Sequence, residues 1–197
     1  MAVRSSAVSE DGECSFAGQY QTVLEVQQEQ LIAAYLNVLA SKYTPQALAY
    51  RIHSGLSDDE TPMAVMVLEM IKAVASGVVY TIDPALLDTT HLFIHAVAGQ
   101  GEALVSGQVI PQILTVDRHN TLRHRLEDEG SGARPSLLTE EQITARADQA
   151  LQIESHFGRA QDIEWALTKS GPMMFLQSRP LHSHPSNTRT NTAEISQ

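Results

Sequence analysis

"DIEWALTKSGPMMFLQSRP", residues 162–180, sets Asp162 and Glu164 at alternate positions, with Ile163, Trp165 and Leu167 interleaved, and later Gln177 and Arg179 two residues apart. Period-2 alternation of this kind reads as β-strand, one face apolar and the other polar. Between the two runs, Ser170-Gly171-Pro172 is a turn signal, so the stretch is expected to be an antiparallel hairpin. Pairing Thr168 with Met173 around a four-residue loop would set Glu164 opposite Gln177 and Asp162 opposite Arg179. All four would then leave one face, with Ile163, Trp165 and Leu176 packed behind. A slip of one residue on either strand would destroy the match.

Two readings of that polar face stay open at this level. One is a solvent-facing cross-strand ion pair, worth about 0.2–1 kcal/mol. The other is a hard-cation and phosphate site. Carboxylate and amide oxygens suit Mg²⁺, which keeps several waters and shares substrate phosphates. Arginine offers a planar fork for phosphoryl oxygens.

Working outward, strands are expected at 63–71, 77–83, 91–98 and 108–117, besides 161–167 and 173–179 in the hairpin. Helices are expected over about 31–41, with Leu31, Ala34, Tyr35 and Val38 on one stripe, and on to about Tyr50 after Pro45. A long helix begins after Thr139, with Glu140 and Glu141 in its first turn and Gly158 just beyond its end. Residues up to about Tyr20 read as Ser/Gly-rich turns, 119–136 as a charged irregular excursion, and 182–197 as a disordered tail or linker. Hairpin-linked strands mixed with helices indicate an α+β fold.

The 197 residues, 43% hydrophobic, suffice for one real core. A net charge of −10, without a basic cluster, argues against nucleic acid as a partner. No apolar run reaches the roughly 18–20 residues of a membrane span. The single cysteine, Cys14, excludes an internal disulfide framework and fits a reducing, cytoplasmic location. Histidines 91 and 95, four apart on a strand, share a face at a distance and are not expected to hold metal.

Two further segments carry glycine. "VRSSAVSEDGECSFAGQYQT" (3–22) combines Arg4, hydroxyls and the small-residue turn ending at Gly18, compatible with backbone N–H groups converging on an anion or with a plain Ser-rich turn. It is not a Walker A loop. "AVAGQGEALVSG" (96–107) sets Gly99 and Gly101 around Gln100, with Glu102 next; without a third glycine in place it is a poor dinucleotide signature, and the plainer reading is a turn with a capping acid.

In this order, "VRSSAVSED…SFAGQYQTVLEV", "MAVMVLEMI…ASGVVYTIDP", "AVAGQGEALVSGQV" and "HFGRAQDIEWAL…FLQSRPL" resemble the nucleotide-binding domain of phosphoenolpyruvate synthase and pyruvate phosphate dikinase. The resemblance implies a partial ATP-grasp domain over residues 1–181, a mixed or antiparallel sheet with flanking helices, representing the C-terminal portion of that domain. It implies Mg²⁺ and ATP as cofactors, and transfer of a phosphoryl group from ATP to a histidine of a partner domain and then to pyruvate. Position by position, Arg4 would contact phosphates, while Gly18, Gln19 and Thr22 belong to the phosphate-covering loop. Glu102 would lie near the nucleotide. Glu164 and Gln177 would hold Mg²⁺, Asp162 would support them, and Arg179, with Arg4 the catalytic pair, would neutralise the transferring group.

The sequence departs from that pattern in three ways. Family members begin about a hundred residues earlier, with a "GGK" lysine motif, whereas the lysines here are Lys42, Lys72 and Lys169. Leu68 stands where a Gln is usual beside the adenine, so no side-chain hydrogen bond is possible there. The phosphohistidine and pyruvate-binding domains are not in this chain. The expected partners are therefore those domains and the missing N-terminal subdomain, and the chain alone is expected to be inert. The alternatives are a degenerate, non-catalytic module and the same domain serving a rifamycin or glucan acceptor, since related phosphotransferases share it.

Overall fold

The computed structural model describes residues 1–7, 20–83, 89–101, 104, 107, 109–119, 124–127, 136–169 and 173–181. Cys14, Gly18, Gln19, Glu102 and the 182–197 segment lie outside them. The described chain is α+β, as expected, with two sheets whose pairings are all antiparallel.

The first sheet has strand order β2-β1-β3, from β1 (Ala2–Ala7), β2 (Thr22–Val23) and β3 (Met63–Leu68). Residues 2–7, expected to be turn-prone, form its central strand instead. Val3, Ser5 and Ala7 alternate as buried positions, and the serine on that inner face masked the period in the sequence. Val3 packs with Val26, Ala34 and Val38 beneath α1 (Leu31–Ser41). The alternation therefore turns Ala2, Arg4 and Ser6 to the opposite face.

Pro45 opens α2 (Pro45–His53). Its missing N–H costs nothing at the first helical turn, and Thr44 Oγ1 caps the helix by accepting from Ala47 N at 3.3 Å. Asp58 joins buried Lys42, at 2.9 Å, and buried Arg51, tying α1, α2 and the loop before β3 together.

The second sheet has order β7-β6-β5-β4-β8-β9. It comprises β4 (Ala73–Tyr80), β5 (His91–Ala98), β6 (Gln112–Asp117), β7 (His124–Glu127), β8 (Gln161–Thr168) and β9 (Met173–Pro180). The strand β7 sits inside the excursion that looked irregular; as a short, charged edge strand it carries little apolar signal. One face of this sheet is covered by α3 (Glu140–Phe157), whose Ile143, Ala147 and Ala150 meet Val79, Ile94, Leu114, Ile163 and Trp165. Thr139 and Gln142 form a reciprocal capping box, and Gly158 ends α3 in the left-handed conformation at φ 67°. Arg118 clamps the far end, donating to both Glu154 carboxylate oxygens at 2.9 and 3.0 Å and to the Thr81 carbonyl.

The β8–β9 hairpin differs from the expected register in one informative way. Its pairing ends at Leu167–Met173, so the loop is one residue longer than expected, and a bulge follows in which Trp165 opposes Phe175 and Glu164 opposes Gln177. The bulge absorbs Leu176 and restores the expected opposition of Glu164 to Gln177 and of Asp162 to Arg179. Leu176 accordingly does not pack behind the sheet: it is 46% exposed and lines the open face beside Gln177.

Candidate functional site

A cleft of about 500 Å³ lies between the two sheets, with Glu69, Met70 and Ile71 of the linker that joins β3 to β4 in its lining. Its polar end draws Arg4 and Thr22 from the first sheet and Glu164, Gln177 and Arg179 from the second. Thr22 is directly opposite Arg4 across the β1–β2 pair, so one local register supplies both. On the other wall the rows run Gln177–Glu164–Val78 and Arg179–Asp162–Tyr80 across three strands.

The electrostatics of these rows match their geometry. Burial and the Glu164 carboxylate push the Asp162 carboxyl up to about 6, against the downward pull of Arg179. Burial also raises the Tyr80 phenol, and both carboxylates add to the shift, which places their charge on the Tyr80 side of the sheet. Gln177 Oε1 and Asp162 Oδ1 are buried without a hydrogen-bond partner among the described residues. Uncompensated oxygens in a pair of acidic rows are what a hard cation satisfies. Among the described residues no group of three His, Cys, Asp or Glu surrounds a metal position. The donor set is instead the sparse one, carboxylate plus amide, that Mg²⁺ accepts when phosphates and waters complete its shell.

The other end of the cleft is mostly apolar, lined by Leu24, Leu68, Met70, Ile71 and Leu104, with Glu69 and Gln100 as its polar side chains. A charged, forked end joined to an apolar slot suits a ligand with a polyanionic tail and a flat, uncharged head.

Over residues 1–197 the chain matches the family described as "Pyruvate phosphate dikinase, AMP/ATP-binding domain". The chain belongs to that family. This dikinase-type ATP-binding domain is 31% identical to a probable phosphoenolpyruvate synthase of Archaeoglobus fulgidus, covering 100% of this chain and 29% of that protein. It is 33% identical to the phosphoenolpyruvate synthase of Pyrococcus furiosus, over 92% of this chain and 26% of that protein. It is 37% identical to a rifampicin phosphotransferase of a Streptomyces species, over 91% of this chain and 23% of that protein. The chain thus spans less than a third of the length of each of these relatives. No helix among the described residues is long and apolar enough to cross a membrane.

Of the residues singled out in the sequence, Arg4, Thr22, Glu164, Gln177 and Arg179 meet in the cleft of the dikinase-type domain. Gly18, Gln19 and Glu102 fall outside the described residues. Asp162 stands one row from Glu164, beside the lining. Sequence reasoning missed Tyr80, Ser76 and the 69–71 linker as neighbours of the site, because strand pairing rather than any local motif brings them there. It also missed the role of Gln100, whose Nε2 donates to the Ile71 carbonyl at 2.8 Å.

Proposed function

We propose that this chain forms the Mg·ATP-binding face of a phosphotransferase, which passes a phosphoryl group from ATP to a histidine on a partner domain and then to pyruvate. The carrying observation is the convergence of Arg4 and Thr22 with Glu164, Gln177 and Arg179 from opposite walls of one cleft. Phosphoryl transfer asks the protein mainly for positioning and charge neutralisation. Arg179 would hold the oxygens of the transferring phosphate from the β9 side while Arg4 grips the chain of phosphates from β1. Thr22 would add a hydroxyl donor. Glu164 and Gln177 are the residues that would hold Mg²⁺, which when bound supplies further neutralisation at the phosphates.

The order of the motifs supports assigning the chain to the C-terminal portion of an ATP-grasp domain, working in the cytoplasm with an N-terminal subdomain, a phosphohistidine domain and a pyruvate-binding domain. The 34–37% identity to rifampicin phosphotransferases of Bacillus subtilis and Streptomyces supports a second reading, in which the same ATP chemistry serves an antibiotic acceptor. A non-catalytic reading has its own support: among the described residues, no lysine lines the cleft, leaving two arginines to face a triphosphate.

Isothermal titration of the chain with ATP and MgCl₂ tests the nucleotide site. Glu164→Ala and Arg179→Ala each remove a charge-assisted contact and are expected to weaken binding at least about tenfold. Equal heats for the three proteins would remove the assignment.

A further inference from the structure

The 96–107 glycine segment carries one contact that the phosphate chemistry leaves unused. Gln100 sits between Gly99, at φ 75°, and Gly101, in the turn after β5. Ser76 Oγ donates to the Gly99 carbonyl at 2.6 Å and so holds this turn against β4. Ser76 lies two residues from Val78, which opposes Glu164; at about 3.4 Å per residue, the turn stands roughly 7 Å along the strand from the carboxylate row. From there Gln100 reaches the linker, where its Nε2 donates to Ile71 O. It belongs to the cleft wall at the apolar end, with Leu68, Met70 and Leu104.

That contact has a chemical consequence. A carbonyl accepts and does not donate, so the bond fixes which end of the carboxamide faces Ile71. The planar group then turns Oε1 away from that carbonyl. Gln100 is solvent-exposed, and its Oε1 has no hydrogen bond among the described residues. The Ile71 carbonyl is meanwhile engaged, and Leu68 has nothing to offer a polar edge. At this end of the cleft Gln100 Oε1 is therefore a neutral side-chain acceptor with a fixed orientation, next to the charged Glu69 carboxylate.

Resting on the nucleotide reading above, we propose that Gln100 is the base-specificity residue of this domain. Its Oε1 accepts a hydrogen bond from the exocyclic amino group of the purine seated in the slot. A 6-amino purine is then favoured over a 6-oxo purine, whose carbonyl would meet Oε1 acceptor to acceptor.

The test is a double-mutant cycle across protein and ligand. Unmutated chain and Gln100→Met are titrated with Mg·ATP and with the Mg complex of purine riboside triphosphate, which lacks the 6-amino group. Gln100→Ala repeats the cycle without the added bulk. Losing either partner is expected to weaken binding about three- to tenfold, and losing both no more than losing one. Inosine triphosphate is expected to bind the unmutated chain more weakly than ATP, and that preference shrinks in both variants. Losses that simply multiply, or a coupling that appears with Glu69→Ala instead, overturn the proposal. Inorganic tripolyphosphate reports the charged end alone. If the unmutated chain binds neither it nor ATP, the nucleotide reading itself fails and this assignment falls with it. If both bind but the cycle shows no coupling, only the assignment of Gln100 fails.

Discussion

Gly77 is the position where the architecture of the site is least forgiving. It lies in β4, between β5 and β8, one residue from the Val78–Glu164 row. A Cβ added there would stand 1.8 Å from the His95 carbonyl oxygen, 2.9 Å from the His95 carbonyl carbon and 3.0 Å from Trp165 Cζ2. The first two atoms are backbone in the middle of a six-stranded sheet, so relief requires β4 and β5 to separate by more than an ångström. The third belongs to a fully buried indole under α3. Overpacking of a well-filled core costs about 1–3 kcal/mol, and a backbone obstacle on the β5 side with a buried indole on the other puts Gly77→Ala at the upper end. For a domain of this size that is a fall in Tm of about 6–12 °C. Differential scanning calorimetry measures it, with Gly158→Ala as the control. At Gly158 φ is 67° but no atom lies within 4 Å, so only left-handed strain of about 1–2 kcal/mol applies. ATP affinity measured on the folded Gly77→Ala protein is expected to fall as well, since the Glu164 row rides on the displaced strand. A Gly77→Ala protein that melts within about 2 °C of the parent, or above Gly158→Ala, would refute the packing argument.

Two other outcomes follow from buried cations, Arg146 in one case and Lys42 with Arg51 in the other. Arg146 is 1% exposed; its guanidinium stacks 4.4 Å over Trp165, donates to Gln142 O at 2.7 Å, and leaves Nε and Nη2 buried and without a partner among the described residues. Burial lowers its pKa only to about 10, so it is charged at neutral pH and that desolvation is paid in full. Arg146→Met is expected to recover more than the cation–π contact it gives up, for a net gain of about 1 kcal/mol, or about 2–4 °C in Tm by calorimetry. An unchanged or lower Tm would show that the stacking outweighs the unpaired donors. At Asp58, hydrogen bonds from Lys42 and then Arg51 hold the carboxyl at about 2, below its ordinary 3.8. A depressed folded-state pKa gives stability that is complete above the unfolded value and lost as pH falls through the folded one. Thermal melts from pH 4 to pH 2 are therefore expected to be flatter in Asp58→Asn than in the parent, with the variant less stable at pH 7. Parallel curves would deny the ion-pair cluster a role.

The elements most legible in the sequence were those whose signal is local. Thr139, Gln142 and Gly158 mark both ends of α3, and Leu31–Ser41 announces α1 through its apolar stripe. The alternation of Ile163 and Trp165 with Asp162 and Glu164 announces β8 and assigns its faces. The central strand β1 escaped notice because Ser5 occupies a buried position among small residues, and β7 because an edge strand needs no apolar face. The opposition of Glu164 to Gln177 was readable, whereas the longer loop and the bulge that compensate for each other were not. Two errors of one residue cancel in a register argument, and only the displacement of Leu176 to the open face records them.

By itself, the order of residues determined which side chains are chemically suited to the site, since hydrogen-bonding type, charge and strand alternation are properties of short segments. It carried the oxygen ligands and the fork of the β8–β9 hairpin, and separately the arginine and hydroxyl near the start. Tertiary structure decided that these belong to one place. Arg4 and Arg179 are far apart in the chain, and no local period encodes their meeting. They share a cleft because each sheet buries its apolar face under its own helices, Val3 beneath α1 and Trp165 beneath α3, which leaves both polar faces turned toward the same gap.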